Sequence, residues 1–153
     1  MTSQADRQIG RRRWRRVFGV ALLLAAGVFL FHTAVLLEVA RHLSGAHSWL
    51  TREYGAANAG RILVPVCFFV LFLTHMIEAF VWGLFLRRKK LVSSLTEGIY
   101  FSSSSITALG YGDVVLQSPW RVLGPLVAIN GLLMFGCSTA FLFLVLEKVW
   151  AQF

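Results

Sequence analysis

Three long apolar runs set what this chain can fold into: Val17 to Ala40, Ile62 to Leu86, and Val122 to Leu146. Each is 24 or 25 residues long. At about 1.5 Å of helical rise per residue, each exceeds the hydrocarbon core of a bilayer, about 30 Å, with length to spare for tilt. The chain as a whole is 57% hydrophobic and only 14% charged, an apolar excess over ordinary soluble domains that three membrane-spanning helices explain. Little else remains. There is a basic N-terminal tail (residues 1–16), an expected short loop from Arg41 to Arg61, and the segment from Arg87 to Arg121. No soluble catalytic domain fits in these pieces, and no nucleophile paired with a base or phosphate loop is present, so the chain is not expected to be an enzyme. Without internal repeats or a flexible linker, residues 17–153 read as one membrane domain.

The stretch "RRRWRRVFGVALLLAAG" has the basic-then-apolar order of a secretory signal. Its apolar run continues well beyond the usual length of about 7 to 15 residues, so a retained anchor is expected. The net charge of +8 is concentrated in this tail and in "RRKK" at Arg87 to Lys90. Beside membrane helices, such clusters orient the chain and touch anionic headgroups; nucleic acid is not an expected partner. Cys67 and Cys137 fall inside apolar helices and read as buried free thiols. The expected location is a plasma or inner membrane, crossed several times.

The segment after "RRKK" has helix-start chemistry at Ser93, Ser94 and Thr96, with Glu97 close behind. It is too short and too polar to span. A half-length helix followed by the glycines of "TALGYGD", Thr107 to Asp113, reads as a re-entrant element spanning 93–113. Backbone with unpaired carbonyls is tolerated at membrane depth only where it is buried in protein or lines a passage for water or ions.

"TALGYGD" resembles the selectivity filter of the potassium channel pore-domain family. In that family a Gly-Tyr-Gly core exposes successive carbonyls toward a central axis. The resemblance extends from about Tyr100 to Ala140. It implies a K+ site built from the backbone of Ala108, Leu109, Gly110, Tyr111 and Gly112, with Tyr111 bracing the loop. Tyr100 and Phe101 stand in place of the family's pore-helix aromatic pair, and Thr107, Ser104 and Asp113 support the filter. Where most family filters have a second threonine, this chain has Ala108, and Leu109 replaces the usual valine. Phe101 stands where many relatives carry an indole that bonds the filter aspartate, leaving Tyr100, Ser104 or water as partners for Asp113. Downstream, "INGLLMFGCSTAF" resembles the inner helix. Gly131 is at its hinge and Gly136 at a second small position, and Leu132, Phe135 and Thr139 form a helical stripe read as lining a cavity below the filter, with ordinary lipid-facing or core packing as the alternative.

The apolar runs and the resemblance together imply an all-α membrane protein of three transmembrane helices, the first without a counterpart in the simplest two-helix members of the family, with a re-entrant pore helix and filter loop before the last helix, assembled as a homotetramer because one loop supplies one quarter of a filter. The expected helices are an extra helix at 17–40, an outer helix at 62–86 and an inner helix at 122–146. The implied function is passive, potassium-selective transport, with no cofactor beyond the transported ion. The other open function is a non-conducting membrane sensor or accessory subunit that uses His32, His75 and Glu78. These three are ionisable groups at membrane depth, expensive there and suited to structural pairing, proton sensing or, less well, metal binding. Glu38 and His42, one turn apart near the end of the first helix, read as surface residues.

Charge and resemblance disagree on orientation. Six arginines in the tail and four basic residues in "RRKK" place both segments in the cytoplasm, with two crossings between them. The resemblance implies a filter loop entering from outside, and that external placement is the expectation carried forward.

Overall fold

The computed structural model describes residues 4–150, with side chains from Trp14 onward. Four α-helices account for most of them: α1 (Gln4–Tyr54), α2 (Ala56–Arg88), α3 (Leu95–Ile106) and α4 (Leu123–Trp150), the last preceded by a 3₁₀ turn, Trp120–Val122. Three segments, Trp14–Tyr54, Ala56–Arg88 and Trp120–Trp150, are long and apolar enough to cross a membrane. α3 has 12 residues, about 18 Å at helical rise, and is the half-length element expected before the last helix.

The first helix departs most from expectation. Of the expected tail 1–16, the described residues 4–16 are the first turns of α1, and the anticipated loop from Arg41 to Arg61 is helical except at Gly55. The reason lies in the spacing of the residues. Beyond Ala40 the apolar residues keep a helical period, with Leu43, Ala46 and Leu50 on one face and Arg41, Ser44, Ser48 and Arg52 exposed on another. A falling mean hydropathy conceals a helix that has only become amphipathic. Gly55, at φ +83°, breaks the run. This left-handed conformation is easy for glycine and strained for residues with a Cβ. The outer and inner helices likewise extend past the expected 62–86 and 122–146.

The chain divides into two compact units, Met1–Phe29 with Glu78–Leu132, and Leu30–Ile77 with Leu133–Phe153. In the second unit, Leu50 of α1 packs with Ala59, Leu63, Cys67 and Leu71 of α2 and with Phe141 and Val145 of α4. Lys148 donates to the Ser44 hydroxyl at 2.6 Å.

The first unit holds the re-entrant element. α2 ends in a Schellman motif, in which Leu91 N–H donates to Leu86 O and Lys90 N–H to Arg87 O, both at 3.0 Å, with Lys90 at φ +56°. α3 then starts at Ser94, whose hydroxyl accepts from Glu97 N–H at 3.0 Å. The Glu97 carboxylate reaches back to accept from Ser93 N–H at 2.8 Å and from the Ser93 hydroxyl. This variant of the capping box satisfies donors that a helix N-terminus otherwise leaves open. The Ser93 hydroxyl is also the main reason that the Glu97 carboxyl sits below its ordinary pKa.

Glycine contacts seat α3 at both ends. A Cβ on Gly83 of α2 would lie 2.7 Å from the Ile99 amide nitrogen, and one on Gly98 would lie 2.7 Å from the Gly83 carbonyl oxygen. At the other end, a Cβ on Gly131 of α4 would come within 2.3 Å of the Ile106 carbonyl oxygen. Small residues let backbones approach this closely where lipid offers no hydrophobic drive to pack helices.

Candidate functional site: the filter segment and the buried histidines

Thr107 caps α3, donating its N–H to Ser103 O at 3.1 Å and its hydroxyl to the same oxygen at 2.8 Å. From there the backbone alternates. Ala108, Gly110 and Gly112 have φ of +57°, +54° and +81°, while Leu109 and Tyr111 between them do not have positive φ. Residues of opposite φ sign undo each other's helical turn, so the segment does not continue the helix of α3. Two of the three left-handed positions are glycine, which tolerates them; Ala108 holds its position at a cost of about 1–2 kcal/mol.

The amides of this segment turn toward α3. Ala108 N–H donates to Ser105 O at 2.9 Å, Gly110 N–H to Ser104 O at 3.1 Å, and Tyr111 N–H to the Ser104 hydroxyl at 3.4 Å. Among the described residues, no hydrogen bond reaches the carbonyl oxygens from Thr107 to Gly112. Three of the segment's amides thus donate to α3, and the carbonyls remain as acceptors. Leu109 and Tyr111 are 59% and 67% exposed within the single chain. Behind the strand lies a cavity of about 620 Å³, lined by residues including Phe101, Ser104, Ala108, Val122 and Ala128.

Asp113 closes the segment. Its Oδ2 accepts from the Tyr100 hydroxyl at 2.6 Å, and its Oδ1 accepts from Val114 N–H at 3.0 Å. Of the partners open on sequence grounds, Tyr100 makes this bond, while Ser104 serves the backbone amide of Tyr111 instead. The bond to Tyr100 is the leading cause that lowers the Asp113 carboxyl from its ordinary pKa, and the same bond raises the Tyr100 phenol. Phe101 is buried, with Gly124 of α4 nearby.

On α4, Gly131 lies against Ile106, whereas a Cβ on Gly136 would meet nothing within 4 Å in this chain. Leu132 and Thr139 are exposed, while Phe135 is half-buried and stacks on His75, with ring centroids 4.1 Å apart. The expected stripe is therefore split: its ends are open and its middle covers a histidine.

In the second unit, His32 and His75 converge on a residue the sequence reading overlooked. Nε2 of each lies 3.2 Å from the Ser138 hydroxyl, and the two imidazoles are 5.1 Å apart. All three residues are buried. A serine in an apolar helix gives little warning, but its hydroxyl can donate to one imidazole and accept from the other. Glu78 is buried one turn beyond His75 on α2. Beside Ser138 is a smaller cavity of about 170 Å³, whose lining includes His75, Phe135 and Thr139.

No curated protein and no solved structure matches the chain. The ion channel family model matches residues 66–148, more than half of the chain, and its match contains α3, the segment 107–113 and nearly all of α4. With three apolar helices long enough to span a bilayer and a half-length helix followed by a segment of alternating φ, this is a membrane protein that belongs to the ion channel family.

Proposed function

We propose that the protein is a potassium-selective channel in which four copies each contribute one filter strand, and that it transports K+ passively across a plasma or inner membrane. The observation that carries this reading is the φ alternation at Ala108, Gly110 and Gly112, combined with amides committed to α3. Such a strand offers consecutive carbonyl oxygens without protein donors, and four of them around an axis replace the hydration shell of a dehydrated cation. Glycines at 110 and 112 let the backbone adopt this form. Ala108 contributes a carbonyl but no hydroxyl, so the innermost site is built without the ring of side-chain oxygens that a threonine supplies. The exposed Leu109 and Tyr111 then find cover against neighbouring copies. The activity is transport rather than catalysis, and it uses no cofactor.

Assembly and ion dependence test this reading together. Mass measurement in nanodiscs should give a fourfold particle, and K+ should protect it against heat more than Na+ at equal ionic strength, because an ion bound only by the assembled filter shifts unfolding by mass action. Monomers alone, or equal protection by both salts, would remove the proposal.

A second reading rests on the buried His32–Ser138–His75 chain. A protein that keeps the channel fold but acts as a sensor or accessory subunit would use this group and Glu78. It predicts no ion flux with the segment 107–113 intact, and an accessory activity that is lost in His75→Phe.

A further inference from the structure

The side of the membrane on which the filter opens follows from continuous helices and the placement of cations. Only Gly55 interrupts helix between α1 and α2, so two crossings separate the start of α1 from the end of α2, and these two ends share one membrane side. The re-entrant α3 and filter return to the start of α4 on that same side. Within the first unit the connection is direct: the Trp14 indole N–H donates to the Pro119 carbonyl at 3.3 Å, beside the 3₁₀ turn that leads into α4. An odd number of crossings between the two basic clusters, which would reconcile the charges with an external filter, is therefore ruled out by the helices themselves.

The charge is distributed very unevenly between the two sides. Eleven of the fifteen Lys and Arg residues lie in 1–16 and 87–121, on the filter side, with Asp6, Glu97 and Asp113 as the acids there. The hairpin around Gly55 and the end of α4 carry the other four, Arg41, Arg52, Arg61 and Lys148, against Glu38, Glu53 and Glu147. Arg41 is already paired with Glu38 at 2.9 Å. Short segments rich in Lys and Arg stay in the cytoplasm, and acids weigh little in that preference.

We propose that the filter mouth faces the cytoplasm, on the side where the basic segments meet the anionic headgroups of the cytoplasmic leaflet. This is the reverse of the external placement implied by the family resemblance. The ion would meet the filter first when leaving the cell and last when entering it. The proposal concerns insertion alone and stands apart from the identity of the ion.

Single cysteines read the orientation. Gln117→Cys lies on the filter side and Ala57→Cys in the helical hairpin, and both positions are exposed. With the wild type as the blank for Cys67 and Cys137, a membrane-impermeant maleimide is applied to intact bacterial cells and again after permeabilisation. The Ala57→Cys variant should label fully in intact cells, and the Gln117→Cys variant only after permeabilisation, with at least a tenfold rise. Labelling of Gln117→Cys in intact cells, in all or half of the molecules, overturns the proposal. The pair Ser93→Cys and Glu53→Cys repeats the measurement at independent positions, should either first variant fail to accumulate.

Discussion

The Tyr100 hydroxyl donates to the Asp113 carboxylate at 2.6 Å, joining the middle of α3 to the end of the segment that follows it. The contact spans thirteen residues of sequence and closes the loop that contains all three left-handed positions. It predicts that Tyr100→Phe, which keeps the ring and removes the donor, leaves assembly intact but loosens the filter. Conduction should fall or decline faster in low K+, and Asp113→Asn should have a smaller effect because its amide oxygen still accepts from the phenol. Equal currents from wild type and Tyr100→Phe would show that the bond is dispensable.

The same bond predicts that the stability of this segment depends on pH in two opposite windows. Asp113 is held below the ordinary carboxylate value of about 3.9, so its contribution is present above that value and is lost as pH falls through the lowered pKa. Tyr100 is raised above about 10, so its contribution is complete below that value and is lost as pH rises through the raised pKa. Thermal melting of the assembly across pH should show both limbs. Tyr100→Phe should abolish the alkaline limb and move the acid limb upward.

Glycine contacts around α3 give a sharper structural test. Gly131→Ala would place a methyl group 2.3 Å from the Ile106 carbonyl oxygen, and overpacking of this kind costs about 1–3 kcal/mol, occasionally more. Gly98→Ala meets the Gly83 carbonyl at 2.7 Å and should behave alike. Gly136→Ala meets nothing in the chain and should be neutral or gain up to about 1 kcal/mol from helix propensity, unless a neighbouring copy fills that space. Melting temperatures of the three variants order these effects directly.

The spanning helices and the re-entrant element were legible because hydropathy over more than twenty residues and a half-length helix ending at glycines leave few alternatives. The last part of α1 was not, since Arg41 to Tyr54 trades hydrophobicity for a one-sided apolar face that an average does not register. Within the filter, Gly110 and Gly112 announce positive φ by their identity, but Ala108 at +57° does not. Gly83 and Gly98 carried an unused signal: glycine inside a helix costs about 1 kcal/mol relative to alanine and so invites a packing explanation. Ser138 had no such signal, because its role arises from two histidines that are 106 and 63 residues away in sequence.

That histidine pair should depend on the hydroxyl between them. Ser138→Ala leaves buried imidazole nitrogens without this shared partner and should destabilise the protein by about 1–3 kcal/mol, whereas Ser138→Thr keeps the oxygen and should cost less. On α2, Glu78→Gln should preserve assembly better than Glu78→Leu if the buried carboxyl serves as a hydrogen-bonding group. Melting of the four variants checks both statements, and equal tolerance of Gln and Leu at position 78 would remove the second.

Ion flux through purified protein in liposomes addresses the central claim most directly. With K+ as the only permeant cation the wild type should dissipate a gradient, with Na+ it should do so far more slowly, and Gly110→Ala should be silent in both, because the methyl group opposes the +54° φ that the strand requires. Equal passage of K+ and Na+, or flux undiminished in Gly110→Ala, would contradict a carbonyl filter built from Thr107 to Asp113.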